Sequence, residues 1–223
     1  MTWRFRQRGE LIAADRFARL ATELSQVGAR PDVIAMTREA ADDELRHADL
    51  CGALVDAYLQ RPLAPMPLPT GPLGSPALSQ RDRVLYEMVA FCCVTETLNS
   101  ALLVETLQVC TEPTIHDTVR AILKDEVRHA RVGWIHLTSE RGDGRGTFLA
   151  EMMPAILTEA GAEEIGVGEP VVPPELAAYG ELGAQTRREI FAQALTEVII
   201  PGLEAVGLES APTRQFLAGW RSA

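Results

Sequence analysis

Nowhere does the chain pair cysteines as Cys-x-x-Cys; its four, Cys51, Cys92, Cys93 and Cys110, are spread through segments with helical patterning. That spacing argues against a zinc ribbon, a thioredoxin-type motif and a rubredoxin-type iron site. They read as small apolar core residues of a protein kept in a reducing cytoplasm. Long apolar runs are lacking too. None approaches the roughly 20 residues that cross a bilayer, and the start, Met1-Thr-Trp-Arg-Phe-Arg-Gln-Arg, has no secretory apolar stretch, so no membrane role is expected. Basic residues are in deficit: 21 Lys and Arg against 31 Asp and Glu leave a net charge of -10. This disfavours nucleic acid as a partner and leaves negative charge that bound cations could cancel.

What the chain does contain is one pentapeptide written twice. Asp43-Glu44-Leu45-Arg46-His47 returns as Asp125-Glu126-Val127-Arg128-His129. In each copy a Glu and a His stand three positions apart, which puts them on one face of a helix. Two such faces turned towards each other present two carboxylates and two imidazoles to one point, ligand chemistry for a pair of iron or manganese ions. A single Glu-x-x-His is commonly a surface pair, so the weight rests on the repetition and on where each copy sits.

Apolar periodicity places both copies in the seams of long helices. A first helix over 8–27 carries the stripe Glu10, Ala14, Phe17, Ala21 and Leu24 and ends at Gly28. A second over 32–60 carries Val33, Ala40, Glu44, His47, Cys51, Leu54 and Tyr58. Arg61 to Ser79 holds six prolines, at 62, 65, 67, 69, 72 and 76, and is not helical. Extended, it reaches on the order of 55 Å, more than the ~42 Å of a 28-residue helix. The helices it joins can then lie parallel, as a bundle with one long crossover requires; the alternative is a flexible linker between two helical hairpins. A third helix over 81–108 has the stripe Leu85, Met88, Cys92, Glu96, Asn99, Leu103 and Thr106. A fourth over 115–140 has Ile115, Val119, Ile122, Glu126, His129, Gly133 and His136, and a turn near 111 sets Glu96 level with Glu126. After the glycines at 142, 144 and 146, shorter helices over 147–160 and 184–200 and a last one after Ser210 carry no motif. The expected fold is all-α: a four-helix bundle over 1–140 and a C-terminal helical extension over 141–223 that packs on it and shapes a substrate entrance or a dimer contact.

A dinuclear carboxylate site in such a bundle takes one Glu from each of two helices and Glu-x-x-His from each of the other two. Glu44, His47, Glu96, Glu126 and His129 supply five of the six ligands. For the sixth, Glu10 continues the first helix's stripe, 34 positions before Glu44, against 30 between Glu96 and Glu126. Asp15 is closer in spacing but off the stripe and is the fallback; Glu23 is off the stripe as well. Four glutamates and two divalent irons balance in charge, with neutral imidazoles completing the set. Asp43 and Asp125 can each accept the free ring N–H of the His in the opposite copy, fixing its tautomer. Arg46 and Arg128 either pair with these aspartates or are solvated helix charges. Asn99 and Ser100 read as packing or supporting residues, Tyr58 and Tyr86 as core tyrosines or electron donors, His136 as too far along for the same metals, and His116 as exposed.

Residues 8 to 140 resemble the ferritin-like di-iron carboxylate superfamily. The Asp-Glu-x-Arg-His motif is similar to that of its oxygen-activating members, among them multicomponent monooxygenase hydroxylases, aldehyde-deformylating oxygenases and arylamine N-oxygenases, more than to that of iron-storage ferritins. Two departures narrow the likeness: Ile122 stands where arylamine N-oxygenases carry an extra His ligand, and the rubredoxin domain of rubrerythrins is lacking. The resemblance implies a ferritin-like four-helix bundle with two iron ions (Fe/Mn or Mn as variants). Glu44 and Glu126 would bridge, and Glu10, Glu96, His47 and His129 would be terminal. It implies a cytoplasmic oxidoreductase, a monooxygenase or oxidase with dioxygen as co-substrate, a small organic substrate, an external electron donor such as a ferredoxin or its reductase, and a possible homodimer. Glu44, Glu96 and Glu126 are the carboxylates expected to carry the chemistry. The alternative is a ferroxidase or iron-sequestering ferritin-like protein.

Overall fold

The computed structural model describes residues 2–59, 71–165 and 172–222, and among them there is no strand. Four long helices come first: α1 (Thr2–Gln26), α2 (Pro31–Leu59), α3 (Gln80–Val109) and α4 (Pro113–Gly142). Then follow α5 (Leu149–Ile165), a 3₁₀ segment (Pro174–Tyr179), α6 over 184–205 and α7 (Ala211–Ser222). Local chemistry sets the starts. Ser79 accepts from the Asp82 N–H at 3.2 Å and donates to its carboxylate at 2.7 Å, a reciprocal cap on α3. Glu112 accepts from the Ile115 N–H at 2.8 Å ahead of Pro113 at the first position of α4, where a proline costs no hydrogen bond. Between α1 and α2, Gly28 takes φ +67°, a conformation that favours glycine.

Cross-helix contacts fix the directions. Arg6 meets Asn99, while Arg16 and Arg19 meet Glu87, so α1 and α3 are antiparallel. Asp43 meets His129 and Asp125 meets His47, so α2 and α4 are antiparallel. Since α2 also runs antiparallel to α1 across the short 27–30 connection, α2 and α3 are parallel, which no tight turn can join. The crossover read over Arg61 to Ser79 lies outside the described residues at 60–70; residues 71–79 are not helical.

Two apolar layers bracket a polar one. One holds Phe17, Leu20, Leu24, Val33, Val84 and Met88; the other holds Trp3, Cys51, Leu54, Leu103, Ile115 and Val119. Trp3 explains why α1 begins before residue 8: its ring is buried in the second layer, so packing orders a turn whose own pattern is weak. A third cluster joins Leu85, Val89 and Leu98 of α3 to Met153, Phe191 and Leu203 of the C-terminal helices. α3 is more apolar than the sequence reading allowed, long and hydrophobic enough to cross a membrane on composition, but 72% of its most apolar window is buried inside the protein. Tyr58 leaves the expected stripe. It is half exposed in the last turn of α2, edge-on to Tyr179.

Inside α3, Val89–Thr95 widens into a π-helix that ends immediately before Glu96. The Thr95 hydroxyl donates to the Ala90 carbonyl at 3.2 Å. Here α3 and α4 approach almost backbone to backbone. A methyl on Gly133 would lie 2.6 Å from Cys92 Cβ and 3.0 Å from the Cys93 nitrogen, so only glycine fits. All four cysteines are buried thiols with no disulfide.

Candidate metal centre

The polar layer draws one side chain from α1, two from α2, one from α3 and two from α4. Glu10, Glu44, His47 and Glu126 form one set, and Glu44, Glu96, Glu126 and His129 a second; within each, ligand-type atoms all lie within 4.8 Å of one another. Glu44 and Glu126 belong to both. None of the six residues is more than 5% exposed. Asp15 is exposed and outside the cluster, and Glu23 pairs with Arg19 on the flank of α1.

Each imidazole is held from behind by the other copy of the motif. His47 Nε2 is 3.3 Å from Asp125 Oδ2, and His129 Nε2 is 3.2 Å from Asp43 Oδ2. Arg128 reaches Asp43 at 2.9 Å and Asp125 at 2.8 Å; Arg46 bonds both aspartates as well. Asp43 is kept below its ordinary range: burial raises it, but the hydrogen bonds from Arg46 and His129 outweigh that. With each Nε2–H donated outward to a carboxylate, Nδ1 is the nitrogen left facing inward. His47 Nδ1 lies 3.2 Å from Glu44 and 3.3 Å from Glu126; His129 Nδ1 lies 2.9 Å from Glu44 and 3.3 Å from Glu126.

Side chains of this layer shift one another's pKa values. Burial pushes the imidazoles down, but the carboxylates of Glu126 and Glu44 overcome it and lift His47 to about 11 and His129 to about 10. Glu10 and Glu96 rise well above the ordinary carboxylate range, through burial first and then repulsion from Glu44 and Glu126. Glu126 is lowered despite its burial, because the imidazoles of His129 and His47, each 3.3 Å away, favour its charged form. The hydrogen bonding is nevertheless incomplete. Glu44 Oε1, both Glu126 carboxylate oxygens and His129 Nδ1 are fully buried with no partner in hydrogen-bonding geometry, although His129 Nδ1 and Glu44 Oε1 are only 2.9 Å apart. Buried polar atoms left in this state are costly. Atoms crowded at this distance yet misaligned for hydrogen bonding can serve as ligands around a common point. Carboxylate oxygens and imidazole nitrogens without a thiolate suit iron or manganese, so the residues present could hold metal ions.

On the side away from the aspartates, Glu10, Glu44 and Glu96 open onto a cavity of about 170 Å³. Ala13, Phe91 and Leu102 line it from the bundle, and Ile156, Ala160 and Leu182 from the C-terminal third. Arg6, Arg16 and Arg187 also reach it. None of these arginines stood out in the sequence, because the cavity is assembled from segments far apart in the chain. Asn99 lines the cavity; Ser100 does not, and its buried Oγ has no partner. Tyr86 is buried, His136 is buried outside the cluster, and His116 is half-buried, 3.9 Å from Asp117. Comparison of the chain with protein-family profiles, curated proteins and solved structures finds no match.

Proposed function

We propose that this chain is a ferritin-like four-helix bundle that binds two iron ions and uses dioxygen to oxidise a small organic substrate. The observation that carries this reading is the convergence of four buried glutamates and two inward-facing imidazole Nδ1 atoms from four helices, beside a cavity whose wall is partly apolar. Glu44 and Glu126, shared by the two sets, would contribute to both metal positions. His47 and Glu10 would serve one position, and His129 and Glu96 the other. Two ferrous ions, when bound, supply two of the four electrons that dioxygen takes up; the substrate supplies the rest, and an external donor such as a ferredoxin resets the ions.

The protein's own contribution is positional. Asp43 and Asp125 hold each imidazole in the tautomer that leaves Nδ1 free, and the two apolar layers exclude water. Glu10 and Glu96, on the cavity side, are pushed by burial towards their neutral forms, and bound cations would favour their ionised forms. An iron-sequestering role needs no chamber beside the metals with room for an organic molecule, so the cavity favours the oxygenase.

Anaerobic titration with Fe(II) is expected to load about two irons per chain, followed by oxygen uptake on mixing with air. Glu126→Ala should lose both positions while keeping its helical circular dichroism. Full iron content in that variant would refute the site. A large iron-filled shell on size exclusion would favour storage instead.

A further inference from the structure

The cavity wall mixes apolar side chains with charged ones, Glu159 among them, and one of its guanidiniums, that of Arg6, is at ion-pair distance from no carboxylate among the described residues. Arg6 stands one turn before Glu10 on α1. It donates to Asn99 Oδ1 at 3.4 Å and lies 6.0 Å from the centre of the Trp3 ring. Among the described residues it forms no ion pair. The other two cavity arginines are engaged elsewhere. Arg16 is bound to Glu87 at 2.7 Å and covers the Phe91 ring, and Arg187 donates to the Leu182 carbonyl at 3.0 Å. The acid whose charge Arg6 feels is Glu10, and in the di-iron reading that charge is taken up by metal.

Asn99 completes the polar point. Its Oδ1 accepts from Arg6, which leaves the amide N–H groups as donors beside the guanidinium. A planar carboxylate matches this pair of donors better than any neutral group does. The whole cavity, its polar point included, measures about 170 Å³, comparable with an engineered apolar cavity of about 150 Å³ that takes benzene. Asn99 lies three residues beyond Glu96 on α3, about 4.5 Å along the axis.

Resting on the di-iron reading, we propose that the substrate is a small organic carboxylate. Arg6 and Asn99 hold its anionic head, and its apolar body, about six to eight carbons, reaches the metals beside Glu10 and Glu96. The carbon presented for oxidation is therefore several bonds from the carboxylate.

The test is calorimetric binding of hexanoate and benzoate, against hexanamide and benzamide, to the anaerobic iron-loaded protein. Each acid should bind at least tenfold tighter than its amide. Arg6→Gln should abolish that preference, and Arg6→Lys should keep part of it, with iron content and circular dichroism unchanged in both. Equal affinity for acid and amide in the wild type overturns the proposal. So does a preference that survives in Arg6→Gln, since the carboxylate would then be held by metal or by another residue. Iron analysis of the same samples separates the two ideas: two irons without carboxylate preference sinks this inference alone, and a chain that takes up no iron sinks the proposed function with it.

Discussion

Six glutamates are buried among the described residues, and the protein treats them in two ways. Glu87 is met by Arg16 and Arg19 and also accepts the Leu73 N–H at 3.2 Å; Glu140 is met by Arg81 at 2.8 Å and Arg145 at 2.6 Å. Glu10, Glu44, Glu96 and Glu126 have no arginine at ion-pair distance and share two imidazoles. The chain thus neutralises a buried carboxylate with arginine where the charge is part of the framework. Where four carboxylates meet it withholds arginine, and the deficit has the size of two divalent cations. The imidazoles report the same contrast. His129 and His136 lie two turns apart on one face of α4. One is raised to about 10 by naked carboxylates. The other is lowered to about 4, by burial and then by Arg81 and Arg145, even though Glu140 pulls the opposite way.

The sharpest way to break this comparison is to neutralise one glutamate of each kind. Glu87→Gln leaves two arginines facing an uncharged amide and is expected to cost about 3 kcal/mol, read as a lower denaturant midpoint. Glu96→Gln in metal-free protein should cost much less, because burial and the charges of Glu126 and Glu44 push that carboxyl towards its neutral form; it should weaken iron binding instead. Equal losses of stability would mean that both kinds are structural.

A smaller effect isolates the support behind the imidazoles. Asp125→Ala removes the acceptor of His47 Nε2 and should weaken metal affinity by roughly 10- to 100-fold, measured by chelator competition, with the cavity's affinity for carboxylate probes unchanged at saturating metal.

The smallest effect concerns His136. Its folded pKa is about 4 against 6.5 for the ordinary group, so between these values the unfolded chain binds the extra proton. Stability therefore falls as pH drops from 6.5 towards 4 and is flat in this respect above 6.5. The slope from this residue is at most about 1.4 kcal/mol per pH unit. His136→Gln should remove it from urea melts across that range, leaving whatever slope the metal layer contributes.

Much of this arrangement was legible in the sequence because helices repeat simply. The i, i+3 spacing of Glu44 with His47 and of Glu126 with His129 placed each pair on one face, and the short turn near 111 levelled Glu96 with Glu126. Preferring Glu10 over Asp15 required only the stripe. The π-helical turn was visible in hindsight alone. The α4 stripe steps strictly by four and three, whereas Met88, Cys92 and Glu96 make two successive steps of four, which a wider turn absorbs. The start of α1 at Thr2, the exposure of Tyr58 and the Arg6–Asn99 point depend on contacts between remote segments, which periodicity does not encode.

The crosswise bracing of the histidines has one more consequence. Because Asp43 of α2 serves His129 of α4, and Asp125 of α4 serves His47 of α2, a slide of either helix by a single turn would mis-set both rings at once. The layer is in that sense a vernier between the two halves of the chain: affinity for a metal would measure how accurately they are aligned, and an ion seated there would resist their slipping.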